Sequence, residues 1–341
     1  MKKKLFKIAQ FVIFLSIGIY IFWLVYREDN EFQIKELWAA LKSINYFWII
    51  ISFCLAILSH VIRALRWNML IEPLGKKPEF LNTFLSVLIM YLANFALPRM
   101  GEVSRCGVLK KYENVSFTKL LGTVLVERSV DFLILVLLFV IVFFTQLAVL
   151  QEFVQNYSKT HGAFVDTITS KFFYLYVIGL FGVFAIVFYM LRKRFSGSWV
   201  FTKVNKIIND FSEGLKSILK MKKKGLFLLY TFLIYLLYFL MTYVVFFCFD
   251  FSKDLSLSVA LTIVVMGSIG MIVMQGGIGA YHFLVMETLF IYGIDKFDGK
   301  LFALVMHGGN TIGMVIIGFI ALIILPIYNR NRTLKNNTLS G

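Results

Sequence analysis

Three groups of residues in this chain have types and spacings that could hold an anion inside a membrane. The first is Asn94-Phe95-Ala96-Leu97-Pro98-Arg99-Met100-Gly101-Glu102-Val103-Ser104-Arg105. Pro98 stops a helix and Gly101 permits a turn. A helix starting there would aim free N–H groups outward, with Arg99 and Arg105 beside them, which suits a phosphate. Glu102 and Arg105, three apart, would share a face. The competing reading is a charged interfacial loop with a Pro-Gly turn.

The second group is Glu127-Arg128-Ser129-Val130-Asp131. Glu127 and Asp131 fall on one helix face and repel unless a cation separates them. Arg128, Arg99 and Arg105 are the candidates for that cation. Charges at membrane depth usually face a cavity, because lipid cannot solvate them. A polar cavity open to the cytoplasm is favoured over a position at the interface. The third group is Gln275-Gly276-Gly277-Ile278-Gly279-Ala280-Tyr281-His282. Its glycines break a helix and bare backbone groups that need protein, water or ligand. Close helix packing through small residues explains the same glycines. His307-Gly308-Gly309-Asn310-Thr311-Ile312-Gly313 reads first as a packing stripe, with Gly309 and Gly313 at small-xxx-small spacing. His60 and Glu287 read as structurally paired polar groups.

The elements that must position these residues are membrane helices. Hydrophobic residues make up 59% of the 341 and charged residues only 16%. A crossing needs about 20 apolar helical residues, and apolar runs recur from end to end. The fold class expected is therefore all-α, a polytopic bundle of about seven or eight spans plus re-entrant or broken helices. Spans are placed near residues 8–26, 46–62, 120–150, 172–191, 226–249 and 301–328. Residues 31–43 and 199–224 read as amphipathic surface helices. Arg63 and Arg66 fall just past the second span and read as the start of a basic loop. If residues 80–97 spanned, two basic loops would lie on opposite faces, against the positive-inside bias. Re-entry resolves this. Residues 257–275 and 281–293 form either a span and a half or a second re-entrant hairpin. The two halves, each with a broken segment between spans, suggest an inverted repeat.

The whole chain reads as one transmembrane domain, with residues 329–341 as a basic cytoplasmic tail. The net charge of +16 fits membrane-surface attraction rather than nucleic acid. Cys54, Cys106 and Cys248 are scattered, so no disulfide framework or zinc spacing follows. No metalloprotease helix motif, phosphate-binding Lys loop or serine elbow occurs. Neither a metal nor a cofactor is expected, and no catalytic residue is assigned.

The sequence resembles the flippase-like transmembrane region of lysylphosphatidylglycerol synthases, which also occurs as free-standing membrane proteins. The residues that carry the resemblance are Arg63-x-x-Arg66-Trp67, Asn94…Pro98-Arg99-x-Gly101-Glu102-x-x-Arg105, Glu127-Arg128-x-x-Asp131 and Gly276-Gly277-Ile278-Gly279. The family's glycine motif commonly has Pro before it and an Arg-Glu pair after. Here Gln275 precedes it and Tyr281-His282 follows. The aminoacyl-transferase domain of the full synthases is expected to be absent. The resemblance implies lipid translocation or lipid binding, and the arginine groups make an anionic or phosphate-linked headgroup the expectation.

On that reading Arg99, Arg105 and Arg128 hold the headgroup, while Glu102, Glu127 and Asp131 keep the arginines placed. The remaining substrate-binding candidates are Asn94, Pro98, Gly101, Gln275, Gly276, Gly277, Gly279 and His282. The partners are membrane lipids and a partner enzyme of lipid or envelope synthesis. The location is a bacterial-type inner membrane with both termini cytoplasmic. Two alternatives stand beside this: a membrane-embedded transferase on a lipid-linked sugar or phosphate, with Glu102 or Asp131 as general base, and a non-catalytic scaffold.

Overall fold

The computed structural model describes residues 15–27, 34–96, 100–149 and 221–339. Every regular element among them is helical. The helices are α1 (Leu15–Tyr26), α2 (Ile34–Ser43), α3 (Tyr46–Ile71), α4 (Phe80–Ala96), α5 (Met100–Glu113), α6 (Phe117–Thr145), α7 (Lys224–Val245), α8 (Leu257–Val273), α9 (Ala280–Ile291) and α10 (Lys296–Leu339). Four of these, with their short 3-10 extensions, are long and apolar enough to cross a membrane: Tyr46–Leu74, Phe117–Thr145, Lys224–Cys248 and Lys296–Arg332. Their lipid-type faces are bare of polar cover. Phe132, Leu137 and Phe144 on α6 and Ile316, Phe319, Ile323 and Ile327 on α10 are exposed. An all-α membrane bundle is the architecture.

The chain divides into two compact units, 1–138 with 223–341, and 139–222. The expected span near 172–191 and most of the amphipathic segment 199–224 lie outside the described residues, as do Pro98 and Arg99.

Within the first unit α3 and α7 run antiparallel. Ser52 Oγ donates to Met241 O at 3.1 Å, and Arg66 Nη1 donates to Thr231 Oγ1 at 3.2 Å. At one end of this pair the Asn45 N–H meets Cys248 O at 3.3 Å. At the other end Lys223 Nζ lies 3.8 Å from Glu72 Oε2. Asn45 starts α3 by accepting the Phe47 N–H on its side-chain oxygen, a standard helix cap.

The helix does not stop where its charges begin. A span of 46–62 followed by a basic loop is corrected here: α3 continues to Ile71, and Arg63 and Arg66 are buried inside it. Their charges are met by carboxylates from α6, so burying them does not break the helix.

α4 and α5 form an antiparallel hairpin. Near its tip the Gly101 N–H donates to Asn94 Oδ1 at 2.8 Å. At its open end Asn82 Nδ2 donates to the Glu113 carboxylate. That open end is fastened to α10. Asn82 and Asn329 exchange amide hydrogen bonds of 3.0 and 2.8 Å, and Arg332 Nη1 donates to Glu113 Oε1 at 2.9 Å. Between these points Leu85, Leu88 and Ile89 pack on Ala321 and Leu325.

α8 and α9 form a second hairpin. A Cβ on Gly270 would stand 2.7 Å from Cα of Tyr281, so the two helices touch backbone to backbone near the tip. At the open end Thr262 Oγ1 and Tyr292 OH are 3.1 Å apart. The two hairpins open at opposite ends of the α3–α7 pair. The first follows Ile71; the second follows Cys248, where Phe246, Phe249 and Phe302 close a core with Val259, Ile263 and Leu289. α4 touches the turn at Gln275–Gly277, so the first hairpin reaches the tip of the second.

Candidate functional site

The site is a cluster of four guanidiniums and two carboxylates from three helices. α3 supplies Arg63 and Arg66, α5 supplies Arg105, and α6 supplies Glu127, Arg128 and Asp131. Arg63 stands eight residues before the end of α3, which is about 12 Å along the axis at 1.5 Å per residue. The cluster is therefore well inside the bundle.

Glu127 is the hub. Its Oε1 lies 2.7 Å from Arg63 Nη1, 3.2 Å from Arg128 Nη2 and 3.5 Å from Arg66 Nη2, and its Oε2 lies 3.0 Å from Arg105 Nη1. Asp131, one turn on, takes Arg66 Nη2 at 2.8 Å and Arg63 Nη1 at 3.1 Å, with Arg128 Nη2 at 3.7 Å. Side-chain exposure is 0% for Arg66, Arg105 and Glu127, 4% for Arg63, 13% for Asp131 and 41% for Arg128. Arg128 is thus the open rim of an otherwise closed cluster.

Neutral groups hold the arginines in place. Tyr238 OH accepts from Arg63 Nη2 at 2.8 Å, and Tyr235 OH donates to Asp131 O at 2.8 Å. Arg105 Cζ lies over the Trp67 ring, 4.3 Å from its centroid, and Trp67 Nε1 donates to Thr123 Oγ1 at 2.9 Å. This stack fixes Arg105 on the α6 side.

Charge and donors are both in excess. Four cations face two anions among the described residues, leaving two positive charges uncompensated. Arg105 Nε, Nη1 and Nη2 are buried without a hydrogen-bond partner, as are the Nε atoms of Arg63, Arg66 and Arg128. Buried polar groups are normally satisfied, and unsatisfied charged ones are costly. Chemically, such an arrangement can take an anion with several acceptor oxygens.

The structure brings Arg105, Glu127, Arg128 and Asp131 together as one group. Arg63 and Arg66 join them, although the reading by apolar runs placed both in a loop. Asn94 and Gly101 meet each other across the hairpin turn. Glu102 makes no ion pair among the described residues and its Oε2 is buried without a hydrogen-bond partner. Arg105 turns instead to Glu127.

The glycine group sits elsewhere. Gly276, Gly277 and Gly279 have φ of 63°, 73° and 79°, the left-handed region that glycine alone enters without strain. Gly276 O is 2.7 Å from His307 Nε2. His282 lies edge-on to Phe22, Tyr26 and His307, with ring centroids 5.0, 5.6 and 4.8 Å away. These partners belong to α1, α9 and α10, not to the helices that carry the guanidiniums. Gly313, placed in a packing stripe, packs on the Phe53 ring as expected of such a stripe. His60 stacks on Tyr91 at 4.3 Å.

A helical bundle with apolar outer faces and a charged cluster sealed among its helices defines a polytopic membrane protein. Residues 8–318 match the family described as Lysylphosphatidylglycerol synthase TM region, and the chain belongs to that family. It is also 29% identical over 212 residues to the UPF0104 membrane protein MJ1595 of Methanocaldococcus jannaschii, a match covering 61% of this chain and 54% of that one. The chain thus spans about half the length of the curated relative it matches. No solved structure matches it.

Proposed function

We propose that this protein binds a lipid with an anionic or phosphate-bearing headgroup and carries that headgroup across the bilayer. The observation behind this is the unfilled donor set of the guanidinium cluster, Arg105 above all, buried in a membrane bundle. Water or counter-ions could serve exposed arginines; a sealed group with excess positive charge calls for a bound anion. In a bilayer the abundant candidates are lipid headgroups, and Arg128 at the rim gives them an entry.

The two oppositely opening hairpins support translocation rather than binding alone. Paired broken segments entering from both faces are a transporter arrangement. Lys76, Lys77, Lys110, Lys111, Arg330 and Arg332 gather at the end where the first hairpin opens, while Asp250, Asp254, Asp295 and Asp298 gather at the other. The positive-inside bias makes the first end cytoplasmic, in an inner or plasma membrane, with both chain termini on that side. The partners are membrane lipids and an enzyme of lipid or envelope synthesis that makes or consumes the lipid.

The test is reconstitution in vesicles holding a fluorescent anionic lipid, with an impermeant quencher reporting the outer leaflet. The wild type moves the lipid between leaflets and Arg105→Gln does not. Lipid movement no faster than in protein-free vesicles, with and without an imposed ion gradient, overturns the translocation reading.

A further inference from the structure

We propose that the headgroup taken by this cluster carries two negative charges on its phosphate, as in a phosphomonoester or diphosphate lipid, rather than the single charge of a phosphodiester. The inference rests on the reading of the cluster as a lipid headgroup site and narrows its substrate class. It follows from charge balance and from the donor set.

Among the described residues the cluster holds four guanidiniums against Glu127 and Asp131. Glu102, one turn before Arg105 on α5, makes no ion pair with any of the four among the described residues. Tyr235 and Tyr238 meet the cluster through hydrogen bonds. Two positive charges therefore remain. A phosphodiester would cancel one of them and leave the other uncompensated in a largely closed cluster, which is costly. A phosphomonoester cancels both.

The donors agree with the charge. The three nitrogens of Arg105 and the Nε atoms of Arg63, Arg66 and Arg128 lack hydrogen-bond partners, and these four residues come from three helices. A phosphomonoester presents three strong acceptor oxygens. A diester presents two unesterified oxygens and shields them with its second substituent. Planar guanidiniums from several directions suit the bare phosphate better.

The experiment is native mass spectrometry of the purified full chain in detergent at about pH 8, above the second phosphate pKa of about 6. The probes are phosphatidate, phosphatidylglycerol and phosphatidylcholine with identical acyl chains, and inorganic phosphate. Phosphatidate binds about tenfold or more tighter than phosphatidylglycerol, the size expected for one extra charge contact in a partly screened site. In Arg128→Gln, which removes the rim cation and lowers the excess to one, that preference falls towards parity while anionic lipid still binds. At about pH 5, below the second phosphate pKa of about 6, the wild type's preference falls in the same way, which serves if the variant does not fold.

Equal binding of phosphatidate and phosphatidylglycerol, both above phosphatidylcholine, overturns the two-charge inference and leaves the anionic-lipid reading standing. Equal binding of all three lipids overturns both. Inorganic phosphate binding as tightly as phosphatidate overturns the lipid and assigns the site to the free anion.

Discussion

Arg105 Nη1 lies 3.0 Å from Glu127 Oε2, while Nε and Nη2 of Arg105 are buried without a hydrogen-bond partner. Glu127 spends its other oxygen on Arg63, Arg66 and Arg128. Arg105 is held between this carboxylate and the Trp67 ring and keeps two nitrogens free. Glu127 thus ties the cluster together, and on the proposed function Arg105 offers its remaining donors to the ligand.

That division predicts unequal effects of mutation. Glu127→Ala removes the carboxylate that all four cations share and should cost about 3–5 kcal/mol, the usual penalty for removing one side of a buried ion network. Arg105→Gln removes one cation from a group whose positive charge is in excess, so it should cost clearly less than Glu127→Ala. Thermal unfolding in detergent reads both. Equal destabilisation by the two would show that Arg105 is a structural member of the network.

The first hairpin makes a topological prediction. Single cysteines replacing Lys77 and Lys111, at the two ends of α4 and α5, should label with an impermeant maleimide from the same side of the membrane. Cysteines replacing Asp254 and Asp295, flanking the second hairpin, should label from the opposite side. Labelling of positions 77 and 111 from opposite sides would mean that the α4–α5 segment spans the membrane an odd number of times.

The glycine turn makes a graded one. A Cβ at Gly276 meets nothing within 4 Å, so Gly276→Ala should cost only the left-handed strain, about 1–2 kcal/mol. A Cβ at Gly279 would strike the backbone oxygen of Gly18 and come within 2.9 Å of the Phe22 nitrogen. Gly279→Ala should therefore cost more and loosen α1. Protease accessibility around residues 15–27 together with melting temperature would check this, and equal effects of the two substitutions would contradict it.

The sequence made the membrane bundle legible because long apolar runs leave few alternatives to a helix in lipid. The helix-face relation of Glu127, Arg128 and Asp131 was legible for the same local reason, since i to i+4 spacing is fixed by the helix itself. Arg63 and Arg66 were harder. A charge after an apolar run usually marks the end of a span, and their compensation comes from residues over sixty positions away. Only their recurrence beside Trp67 in the family pattern marked them. Glu102 and Arg105 lie one turn apart on α5 as their spacing implies, but a shared face does not make a pair when tertiary partners compete. Trp67 and Glu127, both from other helices, claim Arg105 instead. The glycine group was legible as a turn but not as a neighbour, because nothing in its spacing tells which helices will surround it.

The most direct test of the central claim, that the buried guanidinium cluster holds an anionic headgroup, is lipidomics of the lipid that survives gentle extraction with the protein. The wild type should retain one anionic lipid class well above its abundance in the membrane, and Arg105→Gln should lose it while remaining folded. Retention of bulk membrane lipid alone, unchanged in Arg105→Gln, would contradict the account and leave the cluster as scaffolding.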